Sequence, residues 1–251
     1  MPAQMSPEFA SLQLTLVERF VQLGIGTLFD GVHQLTNFQR RLGIGTPTDP
    51  PGNEMWIDLL EKLNTVSTHA ERVEKVMSTF SSLPPAVPEH IARGWPTVGA
   101  FSIEISGTVA HTHFYAMHDD DKSPLHPSKL NIRRSELQAV LAATRKNHPE
   151  LDRVIGGSWL YTTSSYASLF PAQHVTNAVV RRGRKTFRGM SHWGQFLDHR
   201  WNLRTGLAEQ FRHRVENWTG DDPCLLFPID TLDVTSPVAV FDSPHPQPIV
   251  Q

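Results

Sequence analysis

An α+β fold is predicted: a helical amino-terminal subdomain over residues 1–88, then a mixed, largely antiparallel sheet with flanking helices over 95–243, and a flexible tail over 244–251. Three observations predict it. Apolar residues recur about every 3.6 positions as far as Phe80 and about every 2 positions beyond Pro96. Pro84, Pro85 and Pro88 stand between the two regimes, where the ring removes the backbone donor that a continuing helix needs. Beyond them strands and helices follow in mixed order, which argues against a doubly wound parallel sheet.

Each element has a local reason. Ser6-Pro7-Glu8 supplies a cap, a first-turn proline and an acid for a helix with the stripe Phe9, Leu12, Leu16, Phe20 and Leu23, ended by Gly24. Thr27 with Asp30 opens a second helix through Leu28, Val32, Leu35, Phe38 and Leu42, which the run GTPTDPPGN then breaks. A third starts near Glu54 and carries Trp56, Leu59, Leu60 and Leu63. Thr68 with Glu71 caps the stretch holding Val73, Val76, Met77 and Phe80, so three or four helices are expected. Further on, Gly99 to Ile105 and Thr108 to Met117 form two strands joined at Ser106-Gly107, the shortest hairpin available. A helix from Ser128 to Asn147 stops at Pro149. Then come a short strand from Arg153 to Gly157, a short helix from Ser164 to Leu169, one or two strands within Val175 to Phe187, and a helix from Thr205 to Trp218.

Composition narrows the partners. The chain has 251 residues, 23 basic and 25 acidic side chains, and 39% hydrophobic residues, enough for a core without covalent staples. Near-neutral charge gives no general attraction to nucleic acid or an anionic membrane. The sole cysteine, Cys224, excludes an internal disulfide and fits a reducing compartment; next to Leu225, Leu226 and Phe227 it reads as a small buried hydrophobe. The start MPAQMSPEFASLQ lacks a basic, apolar leader, and no apolar stretch of about 18 residues occurs, so a cytoplasmic location is expected.

The hairpin carries the sharpest chemical inference. A turn at Ser106-Gly107 pairs Glu104 with Val109, Ser102 with His111 and Ala100 with His113. Alternation then sends Phe101, Ile103, Ile105, Ala110, Thr112 and Phe114 to a core face. Glu104, Ser102, His111, His113 and Tyr115 gather on the other. That set is either a site held on rigid strands or an ordinary solvated sheet face. A His-x-His pair with Glu104, or with His174 or His192, has the ligand types of a two-His-one-carboxylate or three-His centre. Asp119-Asp120-Asp121 lacks the alternating ligands of a calcium loop and reads as a turn.

Elsewhere, RRGRKTFR from Arg181 to Arg188 has five basic residues and no acid; Arg181, Arg182, Arg184 and Lys185 are the anion-binding set, or a basic solvated loop. Phe187 and Trp193 offer stacking surfaces for single-stranded nucleic acid, against which the overall charge argues. Gly156-Gly157-Ser158-Trp159-Leu160 is not a nucleophile elbow, because Leu160 holds the final glycine position. Neither a P-loop nor a dinucleotide-binding glycine fingerprint is present.

Several motifs together carry a resemblance. His113-Phe114, Ser123-Pro124-Leu125, Glu136-Leu137 in a helix, Pro149, Gly157-Ser158-Trp159-Leu160-Tyr161 and Leu169-Phe170-Pro171 resemble a group of uncharacterised bacterial proteins. More distantly they are similar to the carboxy-terminal domain of GNAT-like acyltransferases with a helical amino-terminal region. Under a third of the chain is covered, and the usual glycine-rich pyrophosphate loop is absent. The resemblance implies a GNAT-like fold and transfer from acyl-CoA. The acceptor would be a small amine or hydroxyl compound. His111 or His113 would be the base, and Tyr161 or Ser158 the donor to the oxyanion or leaving thiolate. The Arg181–Lys185 cations would hold phosphate, and Glu104, Tyr115, Trp159 and Trp193 would line the substrate site. Two alternatives stay open: an iron or zinc enzyme built on His111, His113 and Glu104, and a non-catalytic binding or assembly protein whose Leu12, Leu16 and Phe20 stripe docks a partner.

Overall fold

A computed structural model describes residues 5–42, 54–82, 88–115 and 121–242. In chain order it contains α1 (Pro7–Gln22), α2 (Leu28–Leu35), α3 (Phe38–Leu42), α4 (Glu54–Asn64), α5 (His69–Ser82) and α6 (Glu89–Ala92). Strands β1 (Thr97–Val98), β2 (Phe101–Ser106) and β3 (Val109–Phe114) lead into α7 (Leu130–Asn147) and β4 (Arg153–Ser158). Helices α8 (Ser164–Ala167) and α9 (Ala172–Thr176), β5 (Val179–Val180), α10 (Met190–Trp193), α11 (Thr205–Glu216) and β6 (Leu232–Pro237) complete it. No helix among the described residues is long and apolar enough to cross a membrane.

The sequence signals act where expected at the first two helix starts. Ser6 Oγ accepts from Phe9 N, and Thr27 and Asp30 form a reciprocal capping box. The second helix is shorter than predicted. Thr36 turns extended, its hydroxyl donating to the Val32 carbonyl, and the Asn37 N–H is taken by Gln13 Oε1 at 2.8 Å, so α3 is a separate helix. Val175 to Phe187, predicted as one or two strands, gives the last turn of α9, the two-residue β5 and an irregular segment. Strand β6 was not foreseen.

The described residues form two compact units. One holds those up to Glu89 together with Arg181–Asp230; the other holds His90–Val180 and those from Thr231 onward. A single boundary near residue 90, with an uninterrupted second domain over 95–243, therefore does not describe the chain. Residues 181–230 leave the sheet unit because their large aromatic side chains complete the helical core: Phe187, Trp193, Phe196, Phe211 and Phe227 bury with Phe9, Leu12, Leu16 and Trp56. Leu12, Leu16 and Phe20, offered as a docking stripe, are consumed in that core. The tail over 244–251, Met117, Asp119, Asp120 and the run over 45–53 lie outside the described residues.

The sheet unit has six strands among the described residues, in the order β1-β2-β3-β4-β6-β5. All pairs are antiparallel except β3 with β4. A parallel pair needs a long crossover, and α7 lies within it. Phe101, Ile103, Ala110, Val154 and Val234 face Leu137, Val140 and Leu141 of α7 in a second, separate core. The mixed α+β class predicted from the sequence is what the structure has.

Candidate functional site

The hairpin turn lies one residue later than predicted. Ser106 pairs with Val109, leaving Gly107-Thr108 as the two-residue loop. Gly107 has φ +58°, and a positive φ at the first loop position is what this kind of turn demands, so the glycine fixes the register. Glu104 thus stands directly across from His111, and Ser102 from His113. The shift leaves the faces as predicted, because both turns pair odd-numbered with even-numbered residues.

On the face opposite α7, three side chains converge. His113 Nε2 lies 3.0 Å from Glu104 Oε2, and His111 Nδ1 lies 3.7 Å from the same oxygen. The two imidazole rings are 4.7 Å apart, centroid to centroid. Side-chain exposure is 18% for His113, 37% for His111 and 38% for Glu104, so the group opens to solvent at His111 and closes around His113. What closes it is Trp95, whose ring stacks on His113 at 4.6 Å and 20°. Beside it the His90 ring sits 4.2 Å from Tyr115, and burial lowers the His90 pKa. Ser102 is fully buried under the cluster, its Oγ without a hydrogen-bond partner. Trp95 and His90 were missed in the sequence because they precede the strands and carry no periodic signal.

The β3–β4 ladder gives the cluster its setting. It pairs only Val109 with Arg153, Ala110 with Val154 and His111 with Ile155, although both strands continue for three residues. β3 stays with β2 and β4 with β6, so the parallel strands part at their carboxyl ends, beside His113. The crevice outside the carboxyl ends of parallel strands is where open α/β sheets bind ligands.

Other predicted site residues are placed elsewhere. Tyr161 is buried on the α7 face, its ring against Tyr166 and Phe170 and its hydroxyl beside Thr112; burial raises its pKa. A donor there lies on the far side of the sheet from the imidazoles, because Thr112 alternates with His111 and His113. Ser158 ends β4 and its Oγ accepts from Leu160 N at 3.1 Å, as a cap. Trp159 follows, half-buried in the turn Trp159–Thr162. Trp193 belongs to the helical unit's core, fully buried, with its Nε1–H donated to the Leu35 carbonyl, and so lines no substrate site.

The basic run also belongs to the helical unit. Arg182 pairs with Asp230 at 2.9 Å, the Gly183 N–H donates to Asp222, and Arg188 donates to the His33 carbonyl. Arg184 and Lys185 are exposed. His174 is far from a ligand position: it is fully buried, Nδ1 2.8 Å from Ser236 Oγ and its ring stacked on Phe170. His192 is buried against Phe187 and Phe227. Comparison with protein-family models, curated proteins and solved structures finds no match to the chain.

Proposed function

We propose that this chain is an acyltransferase-like enzyme that moves an acyl group from a CoA-type thioester to a small amine or hydroxyl compound. The observation that carries this is the Glu104–His113 contact at the place where β3 and β4 part. A carboxylate 3.0 Å from one imidazole nitrogen orients the ring. With Nε2–H donated to Glu104, the basic lone pair is on Nδ1. His113 would take the acceptor's proton as its nitrogen or oxygen attacks the thioester carbonyl. The C–S bond then breaks and the thiolate recovers the proton. Histidine is the side chain whose ordinary chemistry suits that exchange at neutral pH. Trp95, stacked on His113, keeps the ring in one orientation. The sequence resemblance to GNAT-like transferases supports the choice of reaction. Tyr161 and Ser158, for the reasons above, have no role in it.

The test is thiol release from acetyl-CoA and longer acyl-CoAs across a panel of small amines and alcohols. His113→Ala should lower turnover by roughly 10²–10⁴ while the thermal midpoint holds. Glu104→Gln, which keeps the shape but weakens the hold on the ring, should lower it less. Full turnover in both His111→Ala and His113→Ala overturns the assignment.

A further inference from the structure

We infer that Glu104, His111 and His113 also form a divalent transition-metal site, of the kind zinc fills, and that the bound ion holds the enzyme silent. The three can each offer one ligand atom, and these atoms all lie within 4.8 Å of one another. Two of the separations are 3.0 Å, from His113 Nε2 to Glu104 Oε2, and 3.7 Å, from His111 Nδ1 to the same oxygen. Metal–ligand bonds of about 2.0–2.1 Å at tetrahedral angles set donor atoms about 3.3 Å apart. These two distances bracket that value and the third, between the histidines, is no more than 4.8 Å, so side-chain rotation is what closes the set into a ligand triangle.

The backbone supplies the preorganisation. His111 and His113 are two apart on β3 and so share a face, and Glu104 is register-paired with His111 on β2. All three therefore project from the same pair of strands, which holds ligands more rigidly than loops do. Two imidazoles and one carboxylate match zinc, nickel, cobalt or iron(II); calcium and magnesium prefer oxygen shells. The half-exposed positions of His111 and Glu104 leave room for water on the remaining sites.

The regulatory half of this inference rests on the acyl-transfer reading: an ion on His113 Nε2 displaces the hydrogen donated to Glu104 and leaves the ring's proton on Nδ1, so the base has no lone pair to take the acceptor's proton. Zinc then competes with protons and with the acceptor, and a chelator restores turnover.

The experiment is calorimetric titration of zinc into untagged, chelator-dialysed protein at neutral pH, with magnesium and calcium as controls. One zinc per chain is expected, with no response to magnesium or calcium. Affinity should fall by at least about 100-fold in His111→Ala and in His113→Ala, more than loss of an outer-shell partner costs. His148→Ala, which breaks an exposed His–Glu pair elsewhere on the sheet unit, should leave it unchanged. The thermal midpoint of each variant without metal guards against misfolding. An unchanged zinc isotherm in both cluster variants, or no one-to-one site in the wild type, overturns the inference. Transfer activity lost in His113→Ala without any zinc site overturns the metal site alone. Stoichiometric zinc on a chain that transfers no acyl group overturns the transfer reading and the silencing, and leaves the metal site standing.

Discussion

Among single residues, His174 shows what burial does to a titratable group that has no access to a reactant. Tyr161, Phe170, Phe241 and Ser236 surround its ring, and burial takes its pKa from the ordinary 6.5 down to about 4. The unfolded chain therefore takes up the proton first. Stability from the neutral ring is whole above about pH 6.5 and is lost as pH falls towards 4, by roughly 3 kcal/mol in all. In His174→Gln the acid branch of the thermal midpoint against pH should be shallower over that interval; an unchanged slope contradicts the assignment. The sequence offered His174 as a spare ligand, and nothing in its local context marks it as buried. His111, His113 and Glu104 were legible because strand alternation alone fixes which face they share.

At the scale of the element, Gly156 in β4 shows how the core uses the space that a missing side chain leaves. A Cβ there would lie 2.3 Å from Tyr161 Oη and 3.0 Å from Thr112 Oγ1. The Tyr161 hydroxyl thus occupies the space a side chain would need, next to Thr112, whose own hydroxyl donates to the Ile155 carbonyl at 3.2 Å. Gly156→Ala should destabilise by about 1–3 kcal/mol through overpacking, read as a lower urea midpoint. Equal stability would mean that Tyr161 is not wedged as described. A glycine in a strand leaves room for a neighbour to come close to the backbone, and at Gly156 that neighbour is the Tyr161 hydroxyl. The sequence could not tell on which side of the sheet Tyr161 falls, because a short turn after a strand has no period to read. The hairpin register was missed by one turn residue for a simpler reason: Ser106-Gly107 and Gly107-Thr108 are both two-residue loops, and only the positive φ of Gly107 distinguishes them.

In the whole molecule, each unit builds a core of its own, and the helical one draws on residues that precede the sheet and on Arg181–Asp230, inserted between β5 and β6. That arrangement defeats any boundary drawn from a change of period alone. Aromatic residues far from the amino-terminal helices in sequence finish their packing, Trp193 foremost, with its ring edge-on to Phe9, Phe211 and Phe227. Trp193→Ala should cost about 3–5 kcal/mol in the helical unit, seen as an earlier urea transition by far-UV circular dichroism. A loss below about 1 kcal/mol would place the ring outside the core.

Acyl transfer requires that the folded chain bind its donor, and a thermal-shift titration with acetyl-CoA and longer acyl-CoAs tests that most directly. A donor present at about 100 times its dissociation constant should stabilise by about 2.7 kcal/mol, raising the midpoint by roughly 5–10 °C for a chain of this size. A midpoint that no acyl-CoA moves, at any concentration up to millimolar, contradicts the account.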